Sequence, residues 1–225
     1  MRPSPKPNLA EAVYVQVKAD IFEFRLLPGT RFSENDVAGR SGVSRTPVRE
    51  ALYRLAREGF VSVHPKSGWR VRPLDFDNFE HLYDVRIILE LAALKKLCDG
   101  EPGTALAPLR KIWTVAARQR EKDWREVARL DEGFHMTLVA ATGNPELARI
   151  HADITESIRI VRRLDFTYAE RVASTYEEHS AVLAAIQSRK SQQAMLLMRS
   201  HIEQSKLEVR KISLHKLHLA HLASG

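Results

Sequence analysis

The stretch "SGVSRTPVREALYRLAREGFV", residues 41–61, decides how the first third of the chain folds. Gly42 permits the positive φ of a tight turn. Ser44 or Thr46 caps the helix that follows, Pro47 is tolerated in its first turn, and Gly59 closes it. Val48, Ala51, Leu52 and Leu55 recur at helical steps as a buried stripe, and Arg45, Arg49, Tyr53 and Arg57 fall outside it. Arginine at the exposed start of such a helix suits a base edge, because its planar fork engages O6 and N7 of guanine together.

On the N-terminal side, Leu9, Val13, Val17, Ile21 and Phe24 predict an amphipathic helix over 9–25, stopped by the Pro-Gly turn of "LLPGT" at 26–30. Ser33 then caps a short second helix, with Asp36 at its third position as an approximate capping box. On the C-terminal side, "FVSVHPKSGWRVRP" (60–73) alternates apolar and polar residues on both sides of "PKSG". This predicts a two-stranded wing whose tip offers Lys66 to a phosphate or a minor groove. Two helices joined by a short turn, arginines at the start of the second, and a wing make a winged helix-turn-helix.

Charge follows the same division. Residues 1–74 hold 13 Lys and Arg against 7 Asp and Glu, whereas residues 75–225 hold 22 against 21. The basic excess sits in the part expected to meet a polyanion. No apolar run is long enough to span a bilayer, the start "MRPSPKPNLAEAV" lacks the core of a signal peptide, and the single Cys98 has no internal disulfide partner. These features predict a cytoplasmic protein with no membrane association.

Beyond Pro73 the pattern is helical throughout, with helices predicted at 75–98, 104–121, 123–141, 145–167, 169–188 and 191–218. Short connections imply neighbours packed antiparallel in a bundle. The expected fold is mainly α: a winged helix-turn-helix over 1–73, followed by an all-helical domain over 74–225.

The apolar stripes of that second part carry polar intruders. Asp131 and His135 lie one turn apart on the stripe of Val127, Ala128, Phe134 and Leu138. His179 lies among Tyr176, Leu183 and Ile186, and His201 among Ala194, Leu197, Met198 and Ile202. A carboxylate and three imidazoles pointing inward from three helices either hydrogen-bond to one another or share a divalent metal ion. Zinc ranks first for such donors, with Ni, Mn and Fe open. Arg86 and Glu90 lie on the stripe of Phe79, Leu82, Tyr83, Ala93 and Leu97. They form either an i, i+4 ion pair or a guanidinium aimed into a cavity, ready for a carboxylate. His81 and His151 read as surface residues, and His215, His218 and His221 as a fraying helix end.

"VSRTPVREAL" and its surroundings, from about Ala10 to Val71, closely resemble the winged-helix signature of the GntR family of bacterial transcription regulators. The resemblance implies DNA contacts by Ser44, Arg45, Thr46 and Arg49, with a further one at the wing tip, where "HPKSGW" departs from the commoner pattern. "DVRIILE", "DEGFHMTLVAATGNPEL", "EEHSAVLAAI" and "RSHI" resemble the motifs of the FCD effector domain found in one branch of that family. Six helices rather than seven point to its shorter, vanillate-regulator-like subgroup.

For this chain the resemblance implies one divalent ion per chain on Asp131, His135, His179 and His201, and an effector contact at Arg86. It implies a small organic-acid or sugar-acid effector, a palindromic operator, a homodimer with two reading heads, and repression as the commonest mode. A metalloenzyme with a fused DNA-binding head, and a regulator with a purely structural metal, are the competing readings.

Overall fold

The structure is a computed structural model and describes residues 8–64, 68–100, 104–166 and 169–211. It comprises two compact units that divide between Leu74 and Asp75.

In the first unit, α1 (Leu9–Phe22) is capped by Asn8 and buries Val13, Tyr14, Val17 and Ile21. The helix ends earlier than the periodicity predicts: Phe24 adopts φ 60° and is buried beyond the helix end. Leu9, expected on the buried stripe, is 47% exposed in the first turn of the helix. β1 (Arg31–Phe32) leads into α2 (Glu34–Ser41), where Ser33 and Asp36 form a complete capping box and Gly42 ends the helix at φ 64°. α3 (Arg45–Arg57) packs Val48, Ala51, Leu52 and Leu55 into the core.

β2 (Val61–His64) and β3 (Gly68–Val71) form the expected antiparallel ribbon. The sheet nevertheless has three strands, in the order β1-β3-β2. Arg31 and Phe32 are too short a run to show alternation, so periodicity could not reveal the third strand. Gly68 makes that pairing possible: a Cβ there would meet the Phe32 carbonyl oxygen at 2.7 Å. Lys66 lies outside the described residues.

The second unit contains α4 (Phe76–Asp99), α5 (Ala107–Trp113), α6 (Trp124–Ala140), α7 (Pro145–Asp165), α8 (Ala169–Gln187) and α9 (Ser191–Arg210). Asp75, Asp123 and Asn144 cap α4, α6 and α7. α4 packs chiefly against α9, α8 against α9, and α6 against α7. The helix expected over 104–121 is interrupted. Thr114 returns its hydroxyl to the Arg110 carbonyl at 2.7 Å, a 3-10 turn follows at Ala117–Gln119, and the Glu121 N–H donates to the Tyr176 hydroxyl at 3.0 Å. That donor is therefore satisfied across the bundle instead of within a helix. The expected extension of α9 to 218, with His215, His218 and His221, lies outside the described residues. Among the described residues no helix is long and apolar enough to cross a membrane.

Candidate functional site

α6 brings Asp131 and His135 to the same inward face, one turn apart. α8 supplies His179 and α9 supplies His201, and all four side chains are buried. One ligand atom from each lies within 4.8 Å of every other. Asp131 Oδ1 is 3.2 Å from His179 Nε2, 3.6 Å from His135 Nε2 and 3.7 Å from His201 Nε2, and the last two nitrogens are 3.1 Å apart. Donors about 2.1 Å from a four-coordinate ion stand about 3.4 Å from one another, so these separations bracket what such an ion needs. Asp131 Oδ1 and His179 Nε2 are buried without a hydrogen-bond partner. Buried polar atoms are seldom orphaned, and a cation between them would satisfy both. The residues present therefore fit a divalent metal.

A second layer of charged groups orients the first. His135 Nδ1 is 2.5 Å from Glu90 Oε2, and His201 Nδ1 is 2.5 Å from Glu178 Oε2. With Nδ1–H donating to a carboxylate, each ring turns the Nε2 lone pair inward. Asp131 divides its oxygens: Oδ2 accepts from Arg162, and Oδ1 faces the histidines. Burial pushes the Asp131 carboxyl up, but the Arg162 charge and the neighbouring imidazoles outweigh it and hold the group well below the usual carboxylate range. Glu90 balances in the same way, its burial overcome by His135 and Arg86. Burial depresses the imidazoles of His179 and His201 well below their ordinary value, against the raising influence of Asp131. They are neutral at pH 7, as metal ligation requires.

Arg86 is fully buried, and its Nε donates to Glu90 Oε1 at 2.7 Å. The i, i+4 pair is therefore present, yet Arg86 Nη2 is buried with no acceptor. His151, read from sequence as a surface residue, is buried and places Nε2 3.0 Å from Glu90 Oε1. On the inward face of α7, His151, Ile154, Thr155, Ile158 and Arg162 follow one another at helical spacing and all are buried. That spacing was the available signal. Glu178 and Arg171 had no such signal, because only the tertiary fold brings them beside His201.

In the first unit, Ser44, Arg45, Thr46 and Arg49 all lie exposed on the opening turns of α3. Ser44 occupies the N-cap position without making a side-chain cap, which leaves its hydroxyl outward. Arg45 and Arg49 both bond to Glu34 at the start of α2.

Comparison with known proteins agrees with both halves of this arrangement. Residues 9–71 match the family described as bacterial regulatory proteins, gntR family, and residues 81–204 match the FCD domain. The Nta operon transcriptional regulator of Aminobacter aminovorans is 32% identical over 182 residues, covering 81% of this chain and 84% of that protein. The HTH-type transcriptional repressor RspR of Escherichia coli (strain K12) is 23% identical over 212 residues, covering 93% and 92%. Among solved structures, a transcriptional regulator GntR from Rhodococcus sp. RHA1 shares the fold with a TM-score of 0.73 at 20% identity, covering 91% of this chain and 98% of that one. E. coli McbR/YncC does so with a TM-score of 0.69 at 19% identity, covering 90% and 97%. With a winged helix-turn-helix at one end and an FCD domain at the other, the chain belongs to the gntR family of bacterial regulatory proteins and is a DNA-binding transcription regulator rather than an enzyme.

Proposed function

We propose that this regulator is a cytosolic homodimeric repressor whose affinity for a palindromic operator is set by a small carboxylic acid bound at a metal centre. The carrying observation is the convergence of Asp131 Oδ1 and three imidazole Nε2 atoms on one buried point, with Asp131 Oδ1 and His179 Nε2 lacking hydrogen-bond partners. Asp131, His135, His179 and His201 would hold one divalent ion per chain. Zinc fits these donors best, and Ni, Mn and Fe use the same types.

A bound ion supplies positive charge that attracts a carboxylate oxygen. Arg86 holds the acid's other end through the donor that Glu90 leaves open, in a site dry enough to strengthen the contact. Ser44, Arg45, Thr46 and Arg49 read the operator from the start of α3, and Lys66 adds a contact at the wing tip. Two heads on a palindrome combine their free energies, which supports a homodimer. Repression is supported by the relative named a transcriptional repressor.

The test combines elemental analysis with calorimetry. Purified protein should carry about one divalent ion per chain. Lactate, malate, succinate and gluconate are titrated into the metal-loaded protein, with and without a duplex selected from random sequence. Coupling of about 1–3 kcal/mol would shift DNA affinity by about 5- to 150-fold, and DNA must shift acid affinity by the same factor. Metal-free protein that keeps its full stability in strong chelator would defeat the metal reading. Acid affinity indifferent to DNA would defeat the sensor.

A further inference from the structure

Glu34 makes four hydrogen bonds to two residues of the proposed DNA-reading helix. Arg45 donates from Nε at 3.2 Å and from Nη2 at 2.8 Å to Oε2. Arg49 donates from Nε at 3.1 Å to Oε1 and from Nη2 at 3.0 Å to Oε2. Both guanidinium groups are thus gripped along the same edge, the one bearing Nε and Nη2. The Nη1 atoms of both arginines take part in none of these bonds.

The grip has a rigid base. Glu34 is the first residue of α2, directly after the Ser33 cap, and the Ser33–Asp36 box fixes that turn. Its side chain is 15% exposed, whereas those of Arg45 and Arg49 are 58% and 53% exposed. The anchor is sheltered and the two forks project. The contacts from Arg49, and next those from Arg45, hold the pKa of the Glu34 carboxyl at about 2, so it is ionised at neutral pH.

A long arginine free in water samples many rotamers and loses that freedom on binding. Two arginines one helical turn apart also repel. A carboxylate between them removes the repulsion and restricts both side chains beforehand. Its negative charge also offsets one of the two positive charges that attract phosphates, an attraction that contributes to binding of any sequence.

We infer that Glu34 is a positioning residue for sequence recognition: it holds Arg45 and Arg49 by their Nε/Nη2 edges so that their Nη1-bearing edges are presented to base edges as a fixed pair. This rests on the reading of Arg45 and Arg49 as base-contacting residues. Glu34 trades general affinity for discrimination. Its loss frees two cations to bind any duplex while removing the geometry that selects one.

The experiment selects a preferred duplex from a library with randomised positions, using wild-type protein. Affinities for that duplex and for a scrambled one are then measured by fluorescence anisotropy at several salt concentrations. Glu34→Gln keeps the volume and leaves the α2 cap intact. It should lower the ratio of selected to scrambled affinity by about tenfold or more, with scrambled binding unchanged or tighter. Arg49→Lys keeps the charge but not the fork and should lower the ratio likewise, which provides a second variant. In an Arg45→Ala/Arg49→Ala background, adding Glu34→Gln should change the ratio no further. An unchanged ratio in Glu34→Gln, equal gains on both duplexes, or an effect that survives without the two arginines would each overturn the inference. If the Arg45→Ala/Arg49→Ala protein itself discriminates as wild type does, the reading of those arginines fails first and the inference with it.

Discussion

His135 and His201 direct their Nε2 atoms at each other across 3.1 Å, while each ring's Nδ1 is 2.5 Å from a carboxylate, Glu90 in one case and Glu178 in the other. If both Nδ1 atoms donate, two lone pairs meet face to face in a buried site, with Asp131 Oδ1 3.6–3.7 Å away. Electron-rich atoms gathered in this way repel unless a cation stands among them.

The outer carboxylates should therefore control metal affinity without touching the ion. Glu178→Ala removes the acceptor that orients His201 and is expected to weaken binding by about 10- to 100-fold, read by competition with a chromophoric chelator. Affinity equal to wild type would show that packing alone fixes the ring.

Arg86 and Glu90 are both buried and bonded at 2.7 Å, so removing one strands the other. Arg86→Ala should destabilise the protein by about 3–5 kcal/mol in urea unfolding, and the Arg86→Met/Glu90→Gln double variant by less. A cost for Arg86→Ala below about 1 kcal/mol would place it among surface-type pairs.

Chelated protein should lose stability as the solution is acidified below about pH 6.5. Burial depresses His179, His201 and His151 below 6.5 in the folded state. The unfolded chain therefore takes up protons first as pH falls. Stability from these groups is complete above the unfolded value and declines below it, by up to about 1.4 kcal/mol per pH unit for each imidazole. A urea midpoint that is flat from about pH 7.5 to 5.5 would contradict this assignment.

Arg45→Ala and Arg49→Ala should each weaken binding to the selected duplex by about 1–3 kcal/mol per half-site, with the helical circular dichroism spectrum unchanged. Near-wild-type affinity would mean that the reading surface lies elsewhere.

Periodicity exposed the winged helix and the bundle because long amphipathic helices repeat their signal many times, as in α3 and α6. The same logic found Asp131, His135, His179 and His201, since a polar group on an apolar stripe is visible in one dimension. β1 escaped it because two residues hold no period, and the break after Trp113 because it depends on a hydroxyl from α8. Glu178 and Arg171 meet His201 only through the packing of α8 on α9, which no local pattern encodes.

Among the described residues, three buried guanidinium groups of the helical unit each have a carboxylate partner: Arg86 has Glu90, Arg162 has Asp131 and Arg171 has Glu178. Each buried cation of these pairs is thus matched by an anion, and the pairs are electrically balanced without any added ion. If the site takes the proposed divalent ion, folding does not require it: the bundle can form first and the ion bind afterwards. Protein stripped by dialysis against chelator should accordingly keep its helical spectrum and recover full occupancy on simple addition of ion, with no passage through denaturant.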